Sequence, residues 1–286
     1  MTNAPTKGFS AKPTVAIVGG GICGLGIGWR LAAAGCAVDL FEKGLAGREA
    51  SWAAAGMLAA NVETEPGEEA LLALNLESQA AWPNFATELN AVSGVDLGYR
   101  DEGTLVVAAH RDDTAELRNT YEFHRSLGLE VEWLTGGQAR RMEPHLAPGI
   151  SAAVSSIKDH QVDNRQLVRA LHEAFLHSGG QLHENTAVEA VDVEARQVKG
   201  VQVAGRRHNV AVAVAVAARQ QLADLKGEST RGGTTGALAG PTTAIWAATP
   251  LTFPPPTKMT APRILRPWIN SPRVPLKRES TIWLET

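Results

Sequence analysis

Residues Gly19-Gly20-Gly21-Ile22-Cys23-Gly24 satisfy the pattern G-x-G-x-x-G and lie between a strand-like run and a helix-like run. No other feature constrains the fold as strongly. Val15-Ala16-Ile17-Val18 is short, apolar and bounded by glycine, as expected of a buried parallel strand. From about Ile22 to Ala34 the chain is rich in Leu and Ala, with Gly35 placed to cap the helix end. Ala37-Val38-Asp39-Leu40-Phe41-Glu42 reads as a second strand. Together these predict a βαβ unit. One glycine makes the tight turn, a second lets backbone approach a pyrophosphate, and a third lets helix and strand pack closely. The helix N-terminus offers free N–H groups and positive dipole to phosphates. Glu42 follows Gly24 by 18 residues, where a carboxylate can accept bonds from ribose hydroxyls. The constellation predicts dinucleotide binding, and it fits NAD and FAD equally.

The next segment separates those two. Gly47-Arg48-Glu49-Ala50-Ser51-Trp52-Ala53-Ala54-Ala55-Gly56-Met57-Leu58 is made almost entirely of small side chains. Small residues let backbone come close to a large planar ligand, and Ser51 can bond a phosphate or ribityl oxygen. The plain alternative is an Ala-rich helix.

The sequence resembles the D-amino-acid-oxidase superfamily over about residues 14–205, and within it the glycine oxidases of thiamine biosynthesis. The resemblance is carried by Val15–Glu42, by Arg48–Leu58 and by Ser93-Gly94-Val95-Asp96. Glu102-Gly103-Thr104-Leu105, Glu143-Pro144, Asp159–Leu167 and His183–Val188 add to it. It implies FAD as cofactor. Gly19, Gly21 and Gly24 would then face the pyrophosphate and Glu42 the adenosine ribose. Arg48, Ser51, Ala55, Gly56 and Met57 would line the phosphate-to-flavin region, and Val188 would approach the adenine through its backbone. The implied reaction oxidises a small amino acid, glycine, to an imine that water converts to a keto acid, with dioxygen reduced to hydrogen peroxide. Sarcosine or D-amino-acid oxidation, and a flavin-binding remnant without catalysis, are the alternatives. The family's substrate-carboxylate arginine belongs to its C-terminal half, which this chain does not match, so no catalytic residue is assigned; Arg263, Arg266 and Arg273 read more simply as tail charges.

Charge divides the chain at about the same place. Residues 1–210 hold 18 Lys+Arg against 26 Asp+Glu, whereas residues 211–286 hold 9 against 4 and also 9 of the 15 prolines. Ala217-Ala218 is followed by Arg219-Gln220-Gln221 where the family has glycine. The expected architecture is therefore an α/β chain. A Rossmann-like FAD-binding domain takes residues 14–84 and 186–218, and a partial sheet-based substrate domain is interleaved at 85–185. A disordered N-terminus is expected over 1–13, and over 219–286 an irregular Pro-rich tail, out of frame with the ancestral gene or otherwise unrelated to the ancestral domain. Helices are expected over Glu68–Val92, Asp113–Leu127 and Asn164–His177, the last with Asn164 as N-cap. Strands are expected over Thr104–Ala109, Val131–Leu134, Gln181–His183, Val188–Val193 and Val198–Val203, and in the Val/Ala alternation of 210–218.

A net charge of −3 gives no drive toward nucleic acid or membrane, and two cysteines suit a reducing cytoplasm. The expected partners are a small amino acid and dioxygen, with homo-oligomerisation open. Asp159, His160, Asp163 and Arg165 read as a solvated loop at a helix start rather than a metal site, and Cys23 reads as a small filler in the turn.

Overall fold

The computed structural model describes residues 13–195, 197–215 and 280–283. The elements in chain order are β1 (Thr14–Val18), α1 (Ile22–Ala33), β2 (Ala37–Phe41), α2 (Ala50–Ala53), β3 (Met57–Leu58), α3 (Glu69–Ser93), β4 (Thr104–Ala108), α4 (Asp113–Ser126), β5 (Glu132–Thr135), α5 (Gly136–Met142), β6 (Ala152–Ser156), β7 (His160–Gln161), α6 (Asn164–His177), β8 (Gln181–His183), β9 (Val188–Glu194), β10 (Gln197–Val203), β11 (Arg206–Asn209), β12 (Val212–Ala215) and β13 (Ser280–Trp283). The expectations for the N-terminal segment and for most of the tail fall outside the described residues. Two units are present: one takes residues 13–58, 77–100 and 161–215, the other 59–76, 101–160 and 280–283. No helix among the described residues is long and apolar enough to cross a membrane.

The first unit is built on a parallel sheet of order β12-β1-β2-β8. Alternate residues of each strand point to opposite faces, and both faces are covered. Ile17, Val38 and Leu40 face α1 and α6, where Leu25, Trp29, Leu171 and Phe175 close the core. Ala16 and Phe41 face the other way, against Val201 and Val203 of the antiparallel meander β9-β10-β11. A buried Leu, Ile or Phe contributes about 1.5–3 kcal/mol, so this two-sided burial explains why β1 and β2 are nearly all apolar. Helix α6 buries Leu167, Val168, Ala170, Leu171, Ala174 and Phe175, one stripe at helical spacing. Its N-cap is Asp163, whose carboxylate accepts from the Arg165 and Gln166 N–H groups at 2.9 and 3.0 Å. The expected cap, Asn164, is instead the first helical residue, which frees its amide for another role.

The second unit carries an antiparallel sheet of order β13-β4-β6-β5. Leu105, Val107, Ala153 and Leu134 face one way, with Ala139 of α5; Val154 and Ala152 face the other way, with Leu117 of α4. Helix α5 opens on a capping box: Thr135 Oγ1 accepts from Gln138 N, and the Gln138 side chain accepts from Thr135 N. Asp159 is not a solvated loop residue. It is fully buried and accepts from Asn61 N at 2.9 Å, Asn61 Nδ2 at 2.8 Å and Val62 N at 3.0 Å. A carboxylate withdrawn from water needs such donors, and these pin the 59–64 segment to the end of β6.

Candidate dinucleotide site

Strand β1 delivers the chain to Gly19, which turns with φ 107° while its N–H donates to Phe41 O at 2.9 Å. Gly21 is the N-cap of α1 and has no side chain to close the first turn. Helix geometry leaves the first N–H groups without intrahelical acceptors. Gly24 packs against the turn it follows: a Cβ there would lie 1.9 Å from the Gly19 carbonyl oxygen. Backbone alone therefore forms the floor of this cradle.

Glu42 is buried, with 9% exposure, and its carboxylate joins two segments. Oε2 accepts from Gly20 N at 2.7 Å and Oε1 from Gly44 N at 2.9 Å. Gly47 N returns to Gly20 O at 2.8 Å, so the Gly-rich turn and the loop after β2 are locked to each other. Ser51 Oγ accepts from Ile22 N at 3.0 Å, which sets its hydroxyl at the mouth of α1. Arg48 lies over the Trp52 ring, its guanidinium carbon 4.0 Å from the centroid. The Ala-rich segment is only briefly helical, in α2, and then extends through the exposed Ala55 to Gly56 and the half-buried Met57 of β3. Gly56 has φ 82°, and a Cβ on it would sit 1.9 Å from Val162 O. Val188 begins β9 and packs among the valines of the meander.

Three braces of this loop were not among the expected site residues. Asn164 Nδ2 donates to Ser51 O at 2.8 Å and Trp52 O at 3.0 Å. Glu184 Oε1 accepts from Ala46 N at 2.8 Å. Backbone bonds from Asn185 N to Gly44 O and from Thr186 N to Glu42 O, both 2.8 Å, complete the strap. No local pattern marks these residues as partners of a loop more than 100 positions away. In the sequence Asn164 reads as a helix cap, and Glu184 stands in a run marked only by the family resemblance.

A side-chain-free turn, a helix N-terminus and a carboxylate at the end of the second strand together define a dinucleotide-binding α/β protein. The sequence model of the DAO family, FAD dependent oxidoreductase, matches residues 14–271. The chain belongs to that family, whose cofactor is FAD. It is 41% identical over 175 residues to a glycine oxidase of Geobacillus kaustophilus (strain HTA426), a match covering 61% of this chain and 46% of that one. It is 28% identical over 197 residues to the bifunctional protein ThiO/ThiG of Trichormus variabilis (strain ATCC 29413 / PCC 7937), covering 66% of this chain and 28% of that one. The crystal structure of glycine oxidase from Geobacillus kaustophilus superposes with a TM-score of 0.69 at 35% identity, over 75% of this chain and 57% of that one. The chain thus spans about half the length of the glycine oxidases it matches.

The residues present fit FAD. The floor of the cradle has no room for side chains at Gly24, and the Glu42 carboxylate retains lone pairs beyond the two N–H groups it already accepts.

Proposed function

We propose that the chain serves FAD-dependent oxidative deamination of a small amino acid, glycine. Glycine, water and dioxygen would become glyoxylate, ammonia and hydrogen peroxide, in support of thiazole formation for thiamine. The observation that supports this reading above others is the 41% identity to a glycine oxidase over 175 residues. When bound, the flavin accepts the two electrons and the α-hydrogen of the substrate and returns the electrons to dioxygen; the protein supplies binding and orientation.

In this reading the α1 N-terminus and the backbone of Gly19, Gly21 and Gly24 hold the pyrophosphate, whose negative charge suits the helix dipole. Glu42 accepts from the adenosine ribose. Arg48 and Ser51 take the flavin-side phosphate and ribityl oxygens, and Ala55, Gly56 and Met57 admit the ring by lacking bulk or by flexing. Val188 presents its backbone to the adenine. The reading includes a cytoplasmic location, supported by two free cysteines.

The test is purification of the full chain, flavin analysis of the denatured supernatant, and peroxide assay with glycine, sarcosine and D-alanine. Bound FAD with peroxide from glycine is the expected result. Turnover only with sarcosine or D-alanine moves the substrate assignment. Stoichiometric FAD with no turnover leaves a flavin-binding chain without catalysis, and absence of FAD overturns the reading.

A further inference from the structure

In the second unit, and among the described residues, three buried side-chain atoms have no hydrogen-bond partner: Thr104 Oγ1, Ser156 Oγ and His124 Nδ1. Their residues are 0%, 0% and 1% exposed. The topology places two of them on one sheet face and the third on the helix that covers it. Thr104 and Ser156 are directly opposed in the β4–β6 ladder, so their side chains leave the same face of the sheet. That face also carries Val106, Val154, Ala108 and Ala152, and α4 covers it with Leu117 and Tyr121. His124 continues the same stripe of α4, since 117, 121 and 124 recur at helical spacing. Strands β4 and β5 are both antiparallel to β6 and hence parallel to each other, so α4, which connects them, runs back along the sheet and ends on the side where β4 begins with Thr104.

The ring of His124 is already oriented by its other nitrogen, which lies 2.9 Å from Thr64 O. A carbonyl only accepts, so Nε2 carries a proton, and in the neutral ring Nδ1 is then an acceptor. Leaving three such atoms dry is costly, because a buried polar group without a partner forfeits its solvation. Buried polar atoms in this situation are ordinarily served by an internal water, which makes about three hydrogen bonds.

We propose that Thr104, Ser156 and His124 form a binding site for one internal water molecule beneath α4. The water donates to His124 Nδ1 and to one hydroxyl oxygen and accepts from the other hydroxyl, which gives each of the three atoms a hydrogen-bond partner. One imidazole and two hydroxyls are a poor donor set for a metal cation, whereas a neutral molecule that both donates and accepts suits them. The site ties the end of α4 to β4 and β6.

The sign of a stability change tests this in the full chain. Thr104→Val and Ser156→Ala each delete one hydroxyl at nearly constant shape. With the water in place, each deletion strips it of a partner, and the melting temperature falls by several degrees. If the hydroxyls are dry and unpaired, each deletion removes a penalty and the melting temperature rises, which overturns the proposal. Nitrogen-15 spectra of the wild-type full chain labelled at histidine give an answer independent of how the variants fold. An Nε2-protonated His124 whose Nδ1 shift shows an accepted hydrogen bond supports the water. A ring whose Nδ1 shift is that of a free acceptor, or an Nδ1-protonated ring, rejects it.

Discussion

Gly24→Ala probes the cradle with a single methyl group. The added Cβ would stand 1.9 Å from the Gly19 carbonyl oxygen and 3.1 Å from its carbon. Carbon and oxygen are comfortable at about 3.3–3.6 Å, so the turn must open by more than about 1 Å. The obstacle is backbone in a positive-φ turn, not a side chain that can rotate. Forcing extra volume into a packed site costs about 1–3 kcal/mol, while the helix gains about 0.5–1 kcal/mol from alanine in place of glycine. The net expectation is a loss of up to about 2.5 kcal/mol. Gly26 supplies the control within α1, because a Cβ there meets only Leu171 Cδ2, at 4.0 Å. Gly26→Ala should keep the helix gain of about 0.5–1 kcal/mol. The helix gain cancels between the two variants, which should therefore differ by the strain alone, about 1–3 kcal/mol, or roughly 2–12 °C in melting temperature for a chain of this size. Thermal and urea denaturation of the flavin-free protein measures that gap, and a fluorescence titration with FAD should then show at least about tenfold weaker binding for Gly24→Ala, or about 1.4 kcal/mol. If Gly24→Ala melts as high as Gly26→Ala and binds FAD as tightly as the wild type, the close approach of helix and turn is not what shapes this site.

Glu42→Ala leaves the Gly20 and Gly44 N–H groups without their acceptor, so it should destabilise the flavin-free chain by about 1–3 kcal/mol and weaken FAD further; unchanged urea midpoints would remove Glu42 as the lock between turn and loop. Asn164→Ala uncouples α6 from the Ser51 and Trp52 carbonyls and should cost about 1–2 kcal/mol, with FAD affinity falling in step; a titration matching wild type would deny it that role. The Glu63 carboxyl is held above its ordinary value, first by desolvation and second by the charge of Asp159. The folded state then binds more protons than the unfolded one, and stability falls as pH rises through that raised value. Glu63→Gln should accordingly be more stable than wild type at neutral pH and indistinguishable from it near about pH 4. Parallel pH–stability curves for the two proteins would remove the electrostatic strain.

Much of the first unit was legible because its signals are local. The apolar run of β1, the Gly-rich turn, the Leu- and Ala-rich α1 and the carboxylate after β2 occupy 29 consecutive residues, Thr14–Glu42, and each is set by its own neighbours. Strand β6 shows the opposite case. Ala152-Ala153-Val154-Ser155-Ser156 has one β-branched residue in five, so propensity is silent, and the strand forms because β4 and β5 pair with it on both edges. Helix α5 opens on two glycines, Gly136 and Gly137, which argue against a helix; the Thr135-x-x-Gln138 capping box was the available signal. Asp159 was misread for a related reason. An acidic residue in a turn is ordinarily solvated, and only the three donors from Asn61 and Val62 make its burial tolerable.

The charge seam does not interrupt the sheet, and this has a physical basis. Acidic balance gives way to basic balance at about residue 210, yet Val212–Ala215 pairs in parallel with Val15–Val18 as β12. Charge composition reports on surface residues, and a run of alternating Val and Ala carries none, so it can join the sheet on either side of a change in charge. The same separation of roles runs through the site. Apart from Val188, the residues fit to touch a dinucleotide lie within Gly19–Met57, whereas those that hold them still, Asn164, Glu184 and the Val162 carbonyl beneath Gly56, come from more than 100 residues later. A motif therefore reveals where a ligand can bind, and only the fold reveals what keeps that place rigid. For this reason Asn164→Ala is more informative than another glycine variant: it leaves every residue of the motif intact and asks whether the motif binds FAD without its brace.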